Sequence, residues 1–155
     1  MVLSLRQELD RIGPERFTAR DHRPGVIRHV VLFRYRDDVT PEQKQEVLRR
    51  FLLLADSPRP DGRTYVLSIE AGPQGSGEDA GHGFEHGVVV SFASEGDRNY
   101  YVGEPVVDDP RFFDAEHAAF KRFVGPLLDE GSPGLLVFDV VTPGRGLGVL
   151  DAGTG

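Results

Sequence analysis

The sequence predicts an α+β domain of the ferredoxin-like type, with element order β-α-β-β-α-β. Three observations carry that reading. Four stretches rich in β-branched and aromatic residues read as strands. Capped helical patterns follow the first and the third of them. The whole chain has 155 residues, the length of one domain.

"VIRHVVLFRYR", residues 26–36, is the first strand. One face holds Ile27, His29, Val31, Phe33 and Tyr35; the other holds Arg28, Val30, Leu32 and Arg34. Both faces are apolar in the middle, so both are expected to be covered. "TPEQKQEVLRRFLLLAD" opens a helix. Thr40 is the N-cap, Pro41 suits the first turn and Gln43 completes a capping box. Val47, Leu48, Phe51, Leu52 and Ala55 form its apolar stripe. "TYVLSIEAG", 64–72, is the second strand, with Tyr65, Leu67 and Ile69 alternating with Val66, Ser68 and Glu70. A Gly-rich loop leads to "HGVVVSF", 86–92, the third strand. Ser94 caps a short helix to about residue 103. A further helix follows Asp114, with Ala118, Phe120, Phe123, Val124 and Leu127 as apolar positions. Pro126 must kink or shorten it. "GLLVFDVV", 134–141, is the fourth strand.

This order places helices on one face of the sheet only. The strands are apolar on both faces, so the bare one needs a partner. A second copy of the sheet is the simplest choice. Around this domain, residues 1–25 read as an N-terminal helical arm and linker: Val2, Leu5, Leu9 and Ile12 have near-helical spacing until Gly13-Pro14, and 14–25 are polar. Residues 143–155 read as a flexible Gly-rich tail.

Net charge is −7, from 18 basic and 25 acidic residues. That argues against a broad nucleic-acid surface. The absence of cysteine excludes disulfide and thiolate chemistry. No apolar run reaches membrane-spanning length, and no signal peptide is read at the start, so a cytoplasmic location is the default expectation.

"HVVLFRYRDDVTPEQKQEVLRRF", "SIEAG", "FEHGVVVSFAS", "EHAAF" and "LLVFDV" together resemble the stress-responsive dimeric α/β-barrel proteins, or Dabb domains, over about residues 27–142. The resemblance implies a homodimer whose two sheets close into a barrel, with a cavity between sheet and helices in each protomer. The family includes olivetolic acid cyclase, which closes a polyketide chain by aldol condensation. In that cyclase pattern a tyrosine and a histidine act together, with two further histidines at strand starts. His117 in "EHAAF" matches the catalytic histidine, Tyr101 the tyrosine, and His29 and His86 the supporting pair. Glu104 stands where the family has a histidine. "VVDDPRFFDA", residues 106–115, is an insertion, and it leaves Tyr101 and His117 sixteen positions apart. At a pocket mouth such a segment would reshape specificity or act as a lid.

The residues themselves suit proton transfer. Asp114 as N-cap puts His117 in a first helical turn, where the dipole disfavours imidazolium. A neutral imidazole can remove a proton next to a carbonyl, and a tyrosine hydroxyl can hydrogen-bond the developing enolate oxygen. Val31, Phe33, Val47, Leu48, Phe51 and Phe120 are the expected apolar lining. The leading expectation is a cofactor-independent, polyketide cyclase-like enzyme acting on a small apolar carbonyl compound. The alternatives are a non-catalytic stress-response or ligand-binding dimer and a monooxygenase-like barrel. No metal site is expected: in "GHGFEH", His82 and His86 have helical ligand spacing but lie at a loop–strand junction. "GSGEDA" precedes no helix and carries two carboxylates, which does not suit a dinucleotide. Arg49, Arg50 and Arg98 read as surface charges.

Overall fold

A computed structural model describes residues 4–142. Val2 and the Gly-rich tail from Pro143 lie outside the described residues. The elements are α1 (Leu5–Ile12), α2 (Pro14–Phe17), β1 (Pro24–Phe33), α3 (Pro41–Leu53), β2 (Val66–Pro73), β3 (His86–Ser94), α4 (Glu95–Val102), α5 (Ala115–Val124) and β4 (Leu135–Val141). The four strands form one antiparallel sheet in the order β2-β3-β1-β4, which is the ferredoxin-like arrangement expected.

The caps act where the sequence places them. Thr40 and Gln43 close a reciprocal capping box on α3. Ser94 accepts from the Asp97 amide at the start of α4. Asp114 caps α5, which gives way at Gly125 to a short 3₁₀ turn containing Pro126.

Directly opposed residues of an antiparallel pair share a face. The register therefore assigns Ile27, His29, Val31 and Phe33 of β1 to the helix side, with Val88, Val90 and Phe92 of β3 and Leu135, Val137 and Asp139 of β4. Val30, Leu32, Leu136, Phe138 and Val140 share the outer side. β2 departs from strict alternation. Its register slips between Val66 and Ser68, so that Val66 and Ile69 both oppose helix-side residues of β3. Leu67 is left 57% exposed, away from the face it was expected to share with Ile69.

The main core lies between the sheet and the helices and contains Val31, Phe33, Val47, Phe51, Val88, Phe92 and Phe120. A second, smaller core joins the two segments outside the β-α-β-β-α-β pattern. Phe17, Val107, Phe113 and Ala118 are buried there, with Leu5, Leu9 and Ile12 packed on them. The polar stretch expected as a linker thus contains a helical turn ending on a fully buried phenylalanine. Close backbone approach fixes its path: a Cβ on Gly96 would sit 1.7 Å from the Ala19 carbonyl oxygen. Buried Glu8 of α1 accepts from His22 Nε2 at 3.0 Å and pairs with Arg23 at 3.1 Å, tying the arm to the entry of β1.

Candidate active site

Asp114 sets the position of His117. One carboxylate oxygen accepts from the backbone N–H groups of Glu116 and His117 and from the Ser57 hydroxyl; the other accepts from the Tyr65 hydroxyl. These contacts satisfy amides that a helix start leaves unpaired. They hold the first turn of α5 in place, with His117 8% exposed. Tyr101 comes from the last turn of α4. Gly103, in the left-handed region at φ +59°, ends that helix. The chain then runs through the insertion and returns where the Asp114 N–H donates to the Tyr100 carbonyl at 3.1 Å.

That return brings Tyr101 and His117 together despite their separation in sequence. Their rings stack, and His117 Nδ1 donates a short hydrogen bond to the Tyr101 carbonyl. No residue of the insertion borders the cavity. Its Val107 and Phe113 turn into the second core instead, because the arm offers them an apolar surface.

A cavity of ≈ 390 Å³ lies between α5 and the β1–β4 half of the sheet. Val31, Phe33, Phe51 and Phe120 line it, together with Leu135 and Val137. Val47 and Leu48 do not. Val47 is fully buried in the main core and Leu48 packs against that core, because α3 lies over β2 rather than over the β1–β4 half. Leu5, Glu104 and Lys121 also border the cavity. Lys121 Nζ donates to the Val102 and Glu104 carbonyls at 2.7 and 2.5 Å.

Besides Glu104 and Lys121, four polar residues line this apolar space: His29, Tyr101 and His117, which the sequence singled out, and Asp139, which it did not. β4 pairs with β1 so that Asp139 stands directly opposite His29. His29 Nδ1 donates to Asp139 Oδ1 at 2.6 Å. Arg98 Nη1 donates to Oδ2 at 3.0 Å. Burial opposes the Asp139 charge, but the bonds and charges of His29 and Arg98 outweigh it and hold the carboxyl below its ordinary range. Arg98, read as a surface charge, is 6% exposed. Its signal in the sequence was its place three residues before Tyr101 on one helix face. For Asp139 the signal was a lone carboxylate inside an apolar strand.

His117 is pushed down to about 3, first by burial and then by the Lys121 charge, with a smaller push from His29; the bond to the Tyr101 carbonyl opposes this. The ring is neutral near pH 7. Since a carbonyl only accepts, Nδ1 carries the proton and Nε2 is an open acceptor. The Tyr101 hydroxyl is fully buried without a hydrogen-bond partner, the one such side-chain atom among the described residues. Burial drives its ionisation well above the ordinary tyrosine range, so it stays protonated and has a proton to donate.

His86 stands apart. It opposes Phe33 at the far end of β1 and shares a 2.9 Å hydrogen bond with the Tyr35 hydroxyl. It does not border this cavity. His29 stands in the middle of β1 opposite Val90, whereas His86 opens β3 opposite Phe33 at the end of β1, so the two histidines occupy different places. Among the described residues no group of three or more His, Asp and Glu side chains is arranged to hold a metal ion. No helix among them is long and apolar enough to cross a membrane.

The family model described as Stress responsive A/B Barrel Domain (Dabb) matches residues 27–142. No curated protein matches the chain. Among solved structures, a hydroxynitrile lyase from Passiflora edulis superposes with a TM-score of 0.57 at 18% identity, covering 77% of this chain and 95% of that one. An Arabidopsis thaliana protein gives 0.56 at 23% identity, over 74% and 92% of the two chains. A dimeric ferredoxin-like protein of unknown function from Jannaschia sp. CCS1 gives 0.56 at 17% identity, over 75% and 98%. At these identities the likeness is one of fold.

Proposed function

The chain belongs to the stress-responsive A/B barrel (Dabb) family, and from that premise we propose that it is a homodimeric barrel that binds a small apolar carbonyl compound and moves a proton beside its carbonyl without a cofactor. The reaction class is that of an aldol-type cyclase or lyase. One observation carries the reading: a tyrosine whose buried hydroxyl has no partner in the protein lines an apolar cavity together with two imidazoles. An unpaired buried hydroxyl costs about 1–3 kcal/mol, a cost that a ligand oxygen would offset.

In this reading Tyr101 donates to the carbonyl oxygen and stabilises the enolate as charge develops there. The Asp139 carboxylate sits behind His29 Nδ1 and offsets the charge that ring gains when Nε2 takes a proton. His29 is therefore the better base. His117, held strongly neutral, keeps its Nε2 lone pair to accept from a ligand hydroxyl. The sequence suggested His117 as base; the surrounding charges favour exchanging the two roles. The lyase name of one structural neighbour is compatible with this chemistry. The homodimer rests on the apolar outer face of the sheet and on neighbours described as dimeric.

The test is α-proton exchange of acetophenone in D₂O, followed by NMR with and without the protein. Exchange above buffer is expected, falling about 10²–10⁴-fold in His29→Asn and about 10²–10³-fold in Tyr101→Phe. Acetophenone line broadening without exchange would instead favour the non-catalytic ligand-binding reading. Neither exchange nor broadening, across aryl ketones small enough for the cavity, would overturn both.

A further inference from the structure

We propose that Arg98 is a positioning residue of this site, acting through Asp139 to hold His29 with its Nδ1 proton directed away from the cavity and its Nε2 open to it. The functional meaning rests on the proton-transfer reading above; the geometry does not.

Asp139 divides its two oxygens between two elements. Oδ1 accepts from His29 of β1, and Oδ2 accepts from Arg98 of α4. With Oδ2 occupied, the carboxylate cannot rotate freely about its last torsion, so Oδ1 stays in front of His29. This anchoring matters because β4 is an edge strand, paired on one side only. Its other side chains from Leu135 to Val141 are all apolar and supply no polar clamp of their own. The guanidinium is held in turn. Nε donates to Asn99 Oδ1 at 3.0 Å, and Nη2 reaches Glu95 Oε1 at 3.5 Å. Asn99 is itself pinned, its Nδ2 donating to the Phe17 carbonyl at 2.8 Å.

Burying an arginine is costly unless its charge and donors are matched. Here the matching partner is the carboxylate that supports His29. The same helix also carries Tyr101, whose ring meets the His29 ring edge-on with centroids 5.6 Å apart. One rigid element thus orients both the hydroxyl donor and, through Asp139, the imidazole. The charged and titratable groups that line the cavity with the carboxylate are His29 on β1, Tyr101 on α4, Glu104 just after it, and His117 and Lys121 on α5, while Arg98 and Glu95 pair on α4. Of these, only His29 and Arg98 hydrogen-bond to the carboxylate.

A merely structural Arg98 would tie α4 to β4 without affecting His29. The experiment that separates the two uses the full chain, labelled with ¹⁵N-histidine and ¹³C-aspartate and studied by NMR across pH without ligand. In the wild type, His29 is expected as the single Nδ1–H tautomer in its neutral form. In Arg98→Met, the Asp139 titration midpoint should move up by about 1 pH unit or more, the size of effect a neighbouring guanidinium supplies. The His29 signals should report mixed tautomers. Arg98→Lys should restore most of the Asp139 midpoint, because it returns the charge. If Arg98→Met does not fold, Arg98→Gln keeps a neutral donor to Oδ2, and the same upward movement is expected because the charge is gone. An unchanged His29 tautomer in a folded, charge-removed variant would overturn the proposal whatever the Asp139 midpoint does, because loss of the charge alone moves that midpoint. These spectra need no substrate. A wild-type protein that turns over no ketone would remove the enzymatic reading while leaving the role of Arg98 to be decided by the spectra.

Discussion

The rings of Tyr101 and His117 lie 3.7 Å apart, centroid to centroid, and 15° from parallel. Near-parallel stacking is rarely the first choice of aromatic rings, which favour offset or edge-on contact. Here it is imposed by hydrogen bonds at both ends of the insertion. The Asp114 amide returns to the Tyr100 carbonyl, and His117 Nδ1 donates to the Tyr101 carbonyl. The pair behaves as one unit: both residues line the same cavity, one with an unpaired buried hydroxyl and the other with an open ring nitrogen.

Removing that hydroxyl should separate function from stability. Tyr101→Phe deletes a donor that has no protein partner, so urea denaturation should show no loss of stability, or a gain of about 1 kcal/mol. Ketone exchange should fall about 10²–10³-fold. A variant destabilised by several kcal/mol would mean that the hydroxyl is paired in solution, and the reading of the cavity would fail.

His117 gives the protein a specific acid sensitivity. Its folded-state pKa of about 3 lies below the ordinary histidine value of 6.5, so between these values the unfolded chain binds the extra proton. Stability attributable to neutral His117 is complete above about pH 6.5 and is lost as pH falls towards 3. In full it amounts to roughly 5 kcal/mol. His117→Gln, which can still donate to the Tyr101 carbonyl, should flatten the stability profile between pH 7 and 4.5. Denaturation midpoints that fall equally steeply in both proteins would assign the acid sensitivity to other groups.

The strands, helices and caps were legible in the sequence because each depends on neighbours a few residues away. Thr40, Ser94 and Asp114 announce helix starts by local chemistry, and Pro126 announces a stop. The site was legible only in part. Val31, Phe33, Phe51 and Phe120 follow from periodicity, whereas Val47 points into the core because of where α3 lies on the sheet. Asp139 meets His29 only through the β1–β4 register, a pairing 110 residues apart in sequence. Arg98 is buried only because that carboxylate receives it. Leu67 was misassigned because a single slip in β2 turns a side chain over. The arm and the insertion are each unremarkable alone, and their common core exists only when both are present.

His86 should prove structural. Burial, followed by the nearby Lys44 charge, holds its imidazole below the usual range against the pull of Glu85, and its Nδ1 meets the buried Tyr35 hydroxyl. Tyr35→Phe would leave that nitrogen without its partner and should cost about 1–3 kcal/mol in urea denaturation. Acetophenone binding, followed by line broadening, should remain within twofold of wild type, because neither residue borders the cavity. A large loss of binding with stability intact would return His86 to the site.

The outer face of the sheet yields the last prediction. Phe138 is 61% exposed in the single chain, and Leu136 and Val140 flank it on the same side. A contiguous exposed apolar surface of this kind marks a contact surface. If a second copy covers it, Phe138→Glu places a carboxylate in a desolvated interface, a penalty of several kcal/mol. Sedimentation equilibrium should then show the wild type as a dimer and the variant as a monomer at micromolar concentration. Leu53→Glu is the matched control. Leu53 is 54% exposed, nearly as much as Phe138, but it lies on α3 in the helix layer. The homodimer predicts that this second substitution leaves the mass unchanged, because exposure alone does not make an interface and the face on which the residue lies decides. A monomeric wild type, or a Phe138→Glu protein that stays dimeric, would show that the bare side of the sheet is not where two copies meet.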